Sequence, residues 1–253
     1  MLFLDSILNL FLKTIKMEQI EKEVIFKKFD PQKKKIKLLT HLLVGERQLA
    51  VITDEGEIKA ILEPGVYKLS FLEPDKSDND PFHGEIIFFS MQHFVDQRWG
   101  TPTPITFEDS SLGSISIRAH GTYTFRLKNP KTFLRKFKTG EEVSSVNNLS
   151  GQLRSIILTE FADFLGNSGI EFTEMASNQL YFSQALQKNL TPIFAQFGLF
   201  LENILIQSIS MLEQNDSNSD AFEELEKLQA LLGKGIITKE EFDVKKAKLL
   251  SRI

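Results

Sequence analysis

The stretch SISIRAHGTYTFRL, from Ser114 to Leu127, alternates apolar and polar side chains along its whole length. Successive side chains of a strand point to opposite faces of a sheet. The alternation therefore predicts an antiparallel strand with one buried face and one face in water. Gly121 falls in the apolar phase of this pattern, and a glycine inside a strand predicts a bulge or a close approach of another backbone.

Short apolar runs separated by turn residues lie upstream of this strand. Residues 48–53 and 58–62 flank the turn sequence Asp-Glu-Gly, Pro64 and Gly65 form the next turn, and Glu85–Ser90 is a third run. Such a succession predicts a meander of strands joined by tight turns.

The period of the apolar residues changes downstream. Spacings of three and four predict one helix from Val143 to about Gly166 and a second helix over residues 179–197. Residues 199–211 then return to a strand-like composition. Strands followed by helices and a late strand predict an α+β domain over residues 17–212, rather than a repeat of parallel βαβ units.

The composition excludes several classes of function. With 253 residues, 42% hydrophobic and 25% charged, the chain has ordinary globular usage. Zero Cys excludes a disulfide framework, a thiolate nucleophile and a cysteine zinc site. A net charge of −4 disfavours general nucleic-acid binding. Because the usual nucleophile, phosphate-loop, dinucleotide and zinc-protease motifs are also absent, we expect no enzymatic activity, no cofactor and no metal site.

Residues 1–16 have the pattern of an amphipathic helix. Its apolar stripe consists of Phe3, Leu4, Ile7, Leu8, Phe11, Leu12 and Ile15. Polar side chains interrupt every turn, so the segment is not expected to span a bilayer, which takes about 20 mostly apolar residues. Nor does it have the charge and cleavage pattern of a secretory signal. Two hypotheses remain: the stripe enters a membrane interface, or it packs on the chain's own domain or another subunit.

A run of lysines follows this helix around Pro31. Its members are Lys27, Lys28, Lys33, Lys34, Lys35 and Lys37. Pro31 predicts a turn rather than a helix. The run is either a solvated loop or a surface that attracts anionic lipid or nucleic acid, and the scarcity of interleaved aromatic residues disfavours nucleic acid.

Three ordered motifs carry a resemblance to a known family. They are GERQLAVITDEGEIKAILEPGVYKL (residues 45–69), the segment around DQRWGTPTPI (residues 96–105) and SIRAHGTYTFRLKNPKTF (residues 116–133). Over about residues 14–211, the chain resembles the bacterial, virion-core-protein-like branch of the SPFH (Band 7) superfamily, the group of stomatin, prohibitin, flotillin, HflK and HflC. The resemblance implies a non-enzymatic, membrane-associated scaffold that self-assembles and organises partner proteins or lipid domains.

Several residues of these motifs are interpreted as structural: Gly65, Trp99, Gly100, Thr101, Pro104 and Gly121. The sequence WGTPTP predicts a rigid turn in which Trp99 anchors a loop on the core instead of binding a ligand.

The chain also departs from stomatins and flotillins. Those proteins pair the domain with a hydrophobic membrane hairpin or transmembrane helix and with a long coiled coil. Here the first segment is only amphipathic, and no heptad run follows Met211. We therefore do not expect a cage with coiled-coil walls.

A separate unit follows a polar linker predicted over residues 213–219. Residues 220–253 predict a helical hairpin whose second helix starts with a capping box of Thr238 and Glu241. The stretch LEKLQALLGKGIITKEEFDVKKAKLL (residues 225–250) resembles the SHOCT module, which implies an oligomerisation role. A hairpin this short is marginal alone, so its apolar side chains are expected to associate with a second copy or another protein, or else to dock on the central domain. The candidate residues are Leu225, Leu228, Leu232, Ile236, Ile237, Phe242, Leu249 and Leu250.

These patterns together predict an α+β, SPFH-like domain of antiparallel strands and helices with a small C-terminal helical hairpin. From the resemblance we expect a cytoplasmic protein, peripheral at the inner face of the cell membrane, that forms homo-oligomers and organises membrane or stress-response proteins. The alternative is a soluble oligomeric adaptor whose N-terminal helix packs on protein. Nucleic acid is not an expected partner.

Overall fold

The computed structural model describes residues 14–17, 21–29, 36–137, 142–212, 217–234 and 236–250. The strands are β1 (Thr14–Lys16), β2 (Val24–Phe29), β3 (His41–Val44), β4 (Gln48–Asp54), β5 (Glu57–Leu62), β6 (Gly65–Lys68), β7 (Glu85–Ser90), β8 (His93–Gly100), β9 (Ile105–Asp109), β10 (Gly113–Leu127), β11 (Val143–Ser145) and β12 (Leu199–Leu212). The α-helices are α1 (Pro130–Lys136), α2 (Val146–Asn167), α3 (Phe172–Ser177), α4 (Gln179–Gln196), α5 (Ser217–Gly233) and α6 (Lys239–Leu250). A 3₁₀ turn covers Leu69–Leu72.

The strands form three sheets. A five-stranded sheet has the order β11-β2-β7-β4-β5, a three-stranded sheet has the order β1-β3-β6, and a four-stranded sheet has the order β12-β10-β8 with β9 paired to β10. Every pairing is antiparallel except that of β1 with β3, which is parallel. Antiparallel sheets combined with helices confirm the predicted α+β class.

Strand β7 lies in the middle of the five-stranded sheet and is buried on both faces. All of its residues after Glu85 are buried. A strand covered on both sides reads as a continuous apolar run instead of an alternating one, which explains the sequence EIIFFS. Its successive side chains enter two different cores.

The small core lies between the five-stranded sheet and the three-stranded sheet. It consists of Ile15, Ile36, Leu38, Leu42, Val44, Ala50, Ile52, Leu62, Leu69, Phe82, Ile86 and Phe88. Strands β4 and β7 each send alternate residues into it, as the period of two requires.

The large core lies on the other face of the five-stranded sheet, where the four-stranded sheet and helices α1–α4 pack. Helix α2 contributes residues three or four positions apart: Val146, Leu149, Leu153, Ile157, Phe161 and Leu165. Helix α4 contributes Phe182, Leu186, Leu190 and Phe194 in the same way. This spacing is that of an amphipathic helix with one face on a core.

Strand β10 has the alternation that the sequence predicts. Ile117, Ala119 and Tyr123 are buried, whereas Arg118 and His120 are exposed. The ladder between β10 and β12 shifts register at Gly121. A Cβ placed on Gly121 would lie 1.8 Å from the carbonyl oxygen of Leu205. The glycine therefore stands at both a bulge and a close backbone approach.

Two helix boundaries differ from the prediction. Val143 belongs to strand β11, where it pairs with Lys27 of β2, and helix α2 begins only at Val146 behind a capping box of Ser145 and Asn148. The helix then continues past Gly166 to Asn167. Apolar spacing does not detect a short edge strand that precedes a helix directly, because both fit the same residues.

Substitution of Gly121 by Ala should destabilise the fold strongly. The new methyl group meets the backbone of Leu205, and overpacking that moves backbone costs about 3 kcal/mol at the upper end of its usual range. Gly151→Ala is the matched control, because this helical glycine is exposed and has open space around its Cβ position. It should stabilise by about 0.5 to 1 kcal/mol. Urea unfolding measures both, and an unchanged midpoint for Gly121→Ala would contradict the proposed steric cause.

Candidate membrane and assembly surfaces

The end of the predicted N-terminal helix is a strand. Thr14–Lys16 pairs in parallel with His41–Val44, and Ile15 is only 5% exposed in the small core. The prediction that Ile15 belongs to a helical membrane face is therefore wrong. Its apolar character serves the pairing with β3, and three residues are too few for a period to distinguish strand from helix. The other predicted membrane residues of this segment lie outside the described residues: Phe3, Leu4, Ile7, Leu8, Phe11 and Leu12.

The lysine run is not a single loop. Lys27 and Lys28 belong to strand β2, which pairs with β7. The Lys28 ammonium lies 3.5 Å from the Glu85 carboxylate, and Lys27 is exposed. The solvated-loop interpretation is wrong for these two residues, because strand pairing with the apolar β7 overrides the charge of the segment. The turn predicted at Pro31 lies outside the described residues. Lys33, Lys34 and Lys35 lie outside the described residues.

The outer face of the three-stranded sheet carries an apolar patch that the sequence did not indicate. Cross-strand pairing aligns Lys16, Leu43 and Val66 in one row, opposite the face that enters the small core. Val66 is 62% exposed, and Phe71 in the following 3₁₀ turn is about half exposed. We call Leu43, Val66 and Phe71 the small-sheet patch. Leu43 and Val66 belong to the sheet whose strand β1 directly follows residue 13 in the chain, and Phe71 belongs to the turn after β6.

A shallow groove of about 540 Å³ runs beside this patch. Its lining includes Val66, Tyr67, Phe71 and Pro74. The charges of the groove are paired, Lys68 with Asp78 at 2.5 Å and Lys76 with Glu73. Because each cation has its own carboxylate, the groove itself has little net attraction for an anionic surface.

Trp99 is a packing residue rather than a turn residue. It lies in strand β8 and is 3% exposed, with its ring edge-on to Phe161 at 5.3 Å. Its indole N–H donates to the Leu205 carbonyl at 3.3 Å. The predicted turn begins only after Gly100, and Thr101 ties it to β10 through bonds with Ala119.

The remaining motif residues also have structural surroundings. Gly65 opens strand β6 with a φ of 159°, and the half-buried Pro104 directly precedes β9. None of the predicted motif residues lines the small-sheet groove. Trp99, Gly100 and Gly121 lie where strands β8, β10 and β12 pack closely, and Gly100 pairs with His120 in the ladder.

The C-terminal hairpin forms as predicted, with a shorter linker. Helix α5 begins at Ser217, so residues 217–219 belong to the helix instead of the linker. The capping box is present, because the Thr238 N–H donates to Glu241 and the Glu241 N–H donates to the Thr238 hydroxyl. Leu228 and Leu249 are buried between α5 and α6.

The predicted assembly residues of the hairpin therefore separate into two groups. Leu228 and Leu249 form its internal core and are not presented to a partner. Leu225, Leu232, Ile237 and Phe242 are half-buried. Ile236 is 64% exposed and Val244, which the sequence did not single out, is 70% exposed. The Leu250 side chain lies outside the described residues.

The titratable groups of the domain stabilise turns and sheets. Within the described residues, no three His, Asp or Glu side chains cluster as a metal site would require. His93 Nδ1 lies 2.6 Å from a carboxylate oxygen of Glu202, and Glu202 also accepts from Arg126 at 2.9 Å. This network joins neighbouring strands β8, β10 and β12.

Asp109 is a buried carboxylate at the end of strand β9, whereas the preceding Glu108 of the same strand is exposed. Asp109 is 6% exposed and accepts backbone N–H bonds from Phe172, Ser111 and Leu112 at 2.7, 2.9 and 2.9 Å. These bonds, the one from Phe172 foremost, lower the pKa of Asp109 below its ordinary value. The hydroxyls of Ser111 and Ser110 likewise lower the pKa of Glu171. Together the two carboxylates attach the β9–β10 turn to the start of α3.

Replacement of Asp109 by Asn should reduce the acid sensitivity of folding. A carboxylate with a lowered pKa stabilises the fold above its unfolded pKa of about 3.9, and this stabilisation is lost as the pH falls through the folded pKa. The variant should be less stable at neutral pH and should lose less stability below about pH 4 than the wild type. Urea titrations across the acid range measure both, with exposed Glu108→Gln as the control. If the free energy of unfolding falls by the same amount with pH in wild type and Asp109→Asn, the lowered pKa of Asp109 is contradicted.

Comparison with known proteins identifies the family. Residues 25–224 match the family model described as SPFH domain-Band 7 family, and residues 223–250 match the Short C-terminal domain, SHOCT. The chain therefore belongs to the SPFH domain-Band 7 family and carries a SHOCT module. No curated protein matches it.

Proteins of this family are known for membrane-associated scaffold roles and are generally non-enzymatic. Among the helices that the structure describes, none has the length and apolar character needed to cross a bilayer.

Proposed function

We propose that this protein is a non-enzymatic, oligomeric scaffold that attaches peripherally to the inner face of the cell membrane and organises partner proteins or membrane regions. Its attachment combines residues 2–13 with the small-sheet patch. Its assembly uses the C-terminal hairpin. Family membership supports the general role, and the arrangement of the small sheet supports the attachment.

The observation that carries the membrane proposal is the position of the small-sheet patch. Val66 is an exposed apolar side chain of the three-stranded sheet, and Phe71 is exposed in the 3₁₀ turn that follows strand β6. Strand β1 of the same sheet directly follows residue 13 in the chain. Exposed apolar groups that lie together indicate an interaction surface. An amphipathic segment and this patch would then contact one lipid surface from a common side of the domain.

Electrostatic attraction has a separate source from the apolar contact. The groove cations are paired, whereas Lys16 is exposed in the row that contains Leu43 and Val66. Each lysine near an anionic leaflet contributes about 1 kcal/mol. Lys16 and the lysines after Asp30 would supply this part of the binding, which salt weakens.

The soluble adaptor remains the second candidate function, and one observation favours it. Ile15, the last residue of the predicted stripe, packs in the protein core and not on a surface. If the rest of the stripe behaved in the same way, residues 2–13 would be covered by protein and unavailable to lipid.

Vesicle co-sedimentation separates the two functions. The full chain should bind vesicles that contain anionic lipid. Val66→Ser combined with Phe71→Ser should weaken this binding at least about tenfold, because burying one large apolar side chain contributes roughly 1.5 to 3 kcal/mol and a factor of ten requires about 1.4 kcal/mol. A chain that lacks residues 1–13 should also bind more weakly.

The controls separate a loss of lipid contact from a loss of folding. Val95→Ser changes an equally exposed valine on strand β8 and should leave vesicle binding unchanged. The deletion stops before Thr14, because removal of β1 would open the small core. Equal binding by all variants would refute attachment through residues 1–13 and the small-sheet patch, and no binding by the full chain would refute membrane attachment and favour the adaptor.

The hairpin proposal rests on two apolar side chains that are exposed among its described residues. Ile236 and Val244 lie outside the internal core formed by Leu228 and Leu249. A two-helix unit of this size gains stability by burying such residues against a partner. The hairpin of a second copy has the same exposed side chains, so two copies can bury them against each other.

Ile236→Ser combined with Val244→Ser should lower the molar mass of the full chain in size-exclusion chromatography with light scattering. Circular dichroism should show unchanged helix content, because both side chains are exposed. Leu228→Ala is the contrasting variant: it removes an internal contact and should reduce helix content. An unchanged mass for the double variant would exclude self-association through this surface.

A further inference from the structure

Strand β12 ends one sheet, and its two halves are protected differently. Among the described strands, it pairs with β10 alone. In its first half, side chains of helix α4 bond to two of its backbone groups. The Ser183 hydroxyl accepts from the Ile206 N–H at 2.9 Å, and the Gln187 amide donates to the Glu202 carbonyl at 2.6 Å. An edge covered in this way cannot pair with another strand.

Within the part of the chain that the structure describes, the second half of β12 has no such side-chain bonds to its backbone. Helices α3 and α4 both pack against β12, but the side-chain bonds from α4 stop at Ile206. Among the described residues, none bonds to the backbone of residues 208–212 except those of the β10 ladder. Ser210, Met211 and Leu212 are exposed.

The sequence of this uncovered half also lacks the features that normally prevent strand pairing. Residues 208–212 read SISML and contain no charge and no proline, whereas free edges usually carry lysine, proline or inward charges. The register shifts of β12 lie before this segment, between its pairings with Thr124 and Phe125 and with His120 and Gly121. An uncharged edge segment of five residues remains.

We propose that residues 208–212 pair in antiparallel fashion with the same residues of a second copy. This interface deepens the proposed scaffold function and rests on it. An uncharged segment meets itself without repulsion, and an antiparallel pair of identical strands has a twofold axis, the commonest symmetry of homo-oligomers. The axis passes beside Ser210, the middle residue, so that Ile209 of one copy faces Met211 of the other. The pairing joins two four-stranded sheets into one continuous sheet.

Disulfide trapping tests the register directly, because the natural chain contains no cysteine. Directly opposite Cβ atoms in an antiparallel pair lie about 4.5 to 5.5 Å apart, so full-length Ser210→Cys should form covalent dimers under mild oxidation. Asn203→Cys is the matched control: it is exposed on the covered half of the same strand. The two Asn203 positions would lie roughly 46 Å apart at about 3.3 Å per residue, and should not cross-link.

A charge variant tests the same contact without cysteine. Ser210→Glu puts two carboxylates across the axis and should weaken the dimer at least about tenfold, since like charges directly opposite destabilise a strand pair. Arg118 lies opposite Ser210 in the β10 ladder, so the glutamate is tolerated within one chain. Ser210→Thr keeps a neutral strand-forming residue and should preserve the dimer.

Each outcome distinguishes the interface from the scaffold function. Covalent dimers of Ser210→Cys that persist with the Ile236→Ser and Val244→Ser changes support the proposal independently of the hairpin. An oligomeric chain without this cross-link overturns the proposal and leaves the scaffold intact, whereas a chain that is monomeric by light scattering refutes both. Equal cross-linking of Asn203→Cys, or cross-linking only after removal of residues 1–13, also overturns it, the latter because the chain's own segment then covers the edge.

Discussion

The pairing of β7 between β2 and β4 is the interaction on which the rest of the domain depends. Ile86 and Phe88 enter the small core, and Ile87 and Phe89 enter the large core. One strand thus contributes apolar contacts to both layers, and neither layer closes without it. The three-stranded sheet is held on one side and the helices on the other. The small-sheet patch and the free half of β12 are surfaces of these two separate layers.

Elements whose neighbours leave a regular signature could be predicted from the sequence. Residues 113–127 have one face on the large core and one in water, so their alternation is visible in the sequence itself. Glu85–Ser90 was predicted by its short continuous apolar run between turns. The capping box of Thr238 and Glu241 is local and needs no tertiary contact. In each case the residues that decide the structure are adjacent or periodic along the chain.

Elements decided by distant partners could not be predicted. Ile15 becomes a strand residue because Leu42 lies beside it, and Val143 becomes one because β2 offers an edge. Lys28 is held in a strand by β7, opposite to what its charged surroundings indicate. The candidate surfaces have the same origin: nothing in the local sequence distinguishes the exposed Val66 from the buried Leu42, with which it shares a sheet. Whether a side chain of this sheet is exposed depends on whether another layer of the fold packs against its face.

The parallel pairing of β1 with β3 has a mechanical consequence. A pull on residue 13 along the axis of Thr14–Lys16 loads the backbone bonds to His41–Val44 together, in shear, instead of one after another as in unzipping. The side chain of Ile15, the middle residue of β1, is also buried in the small core. A force applied at Thr14 is therefore transmitted through β3 and the small core to the whole domain.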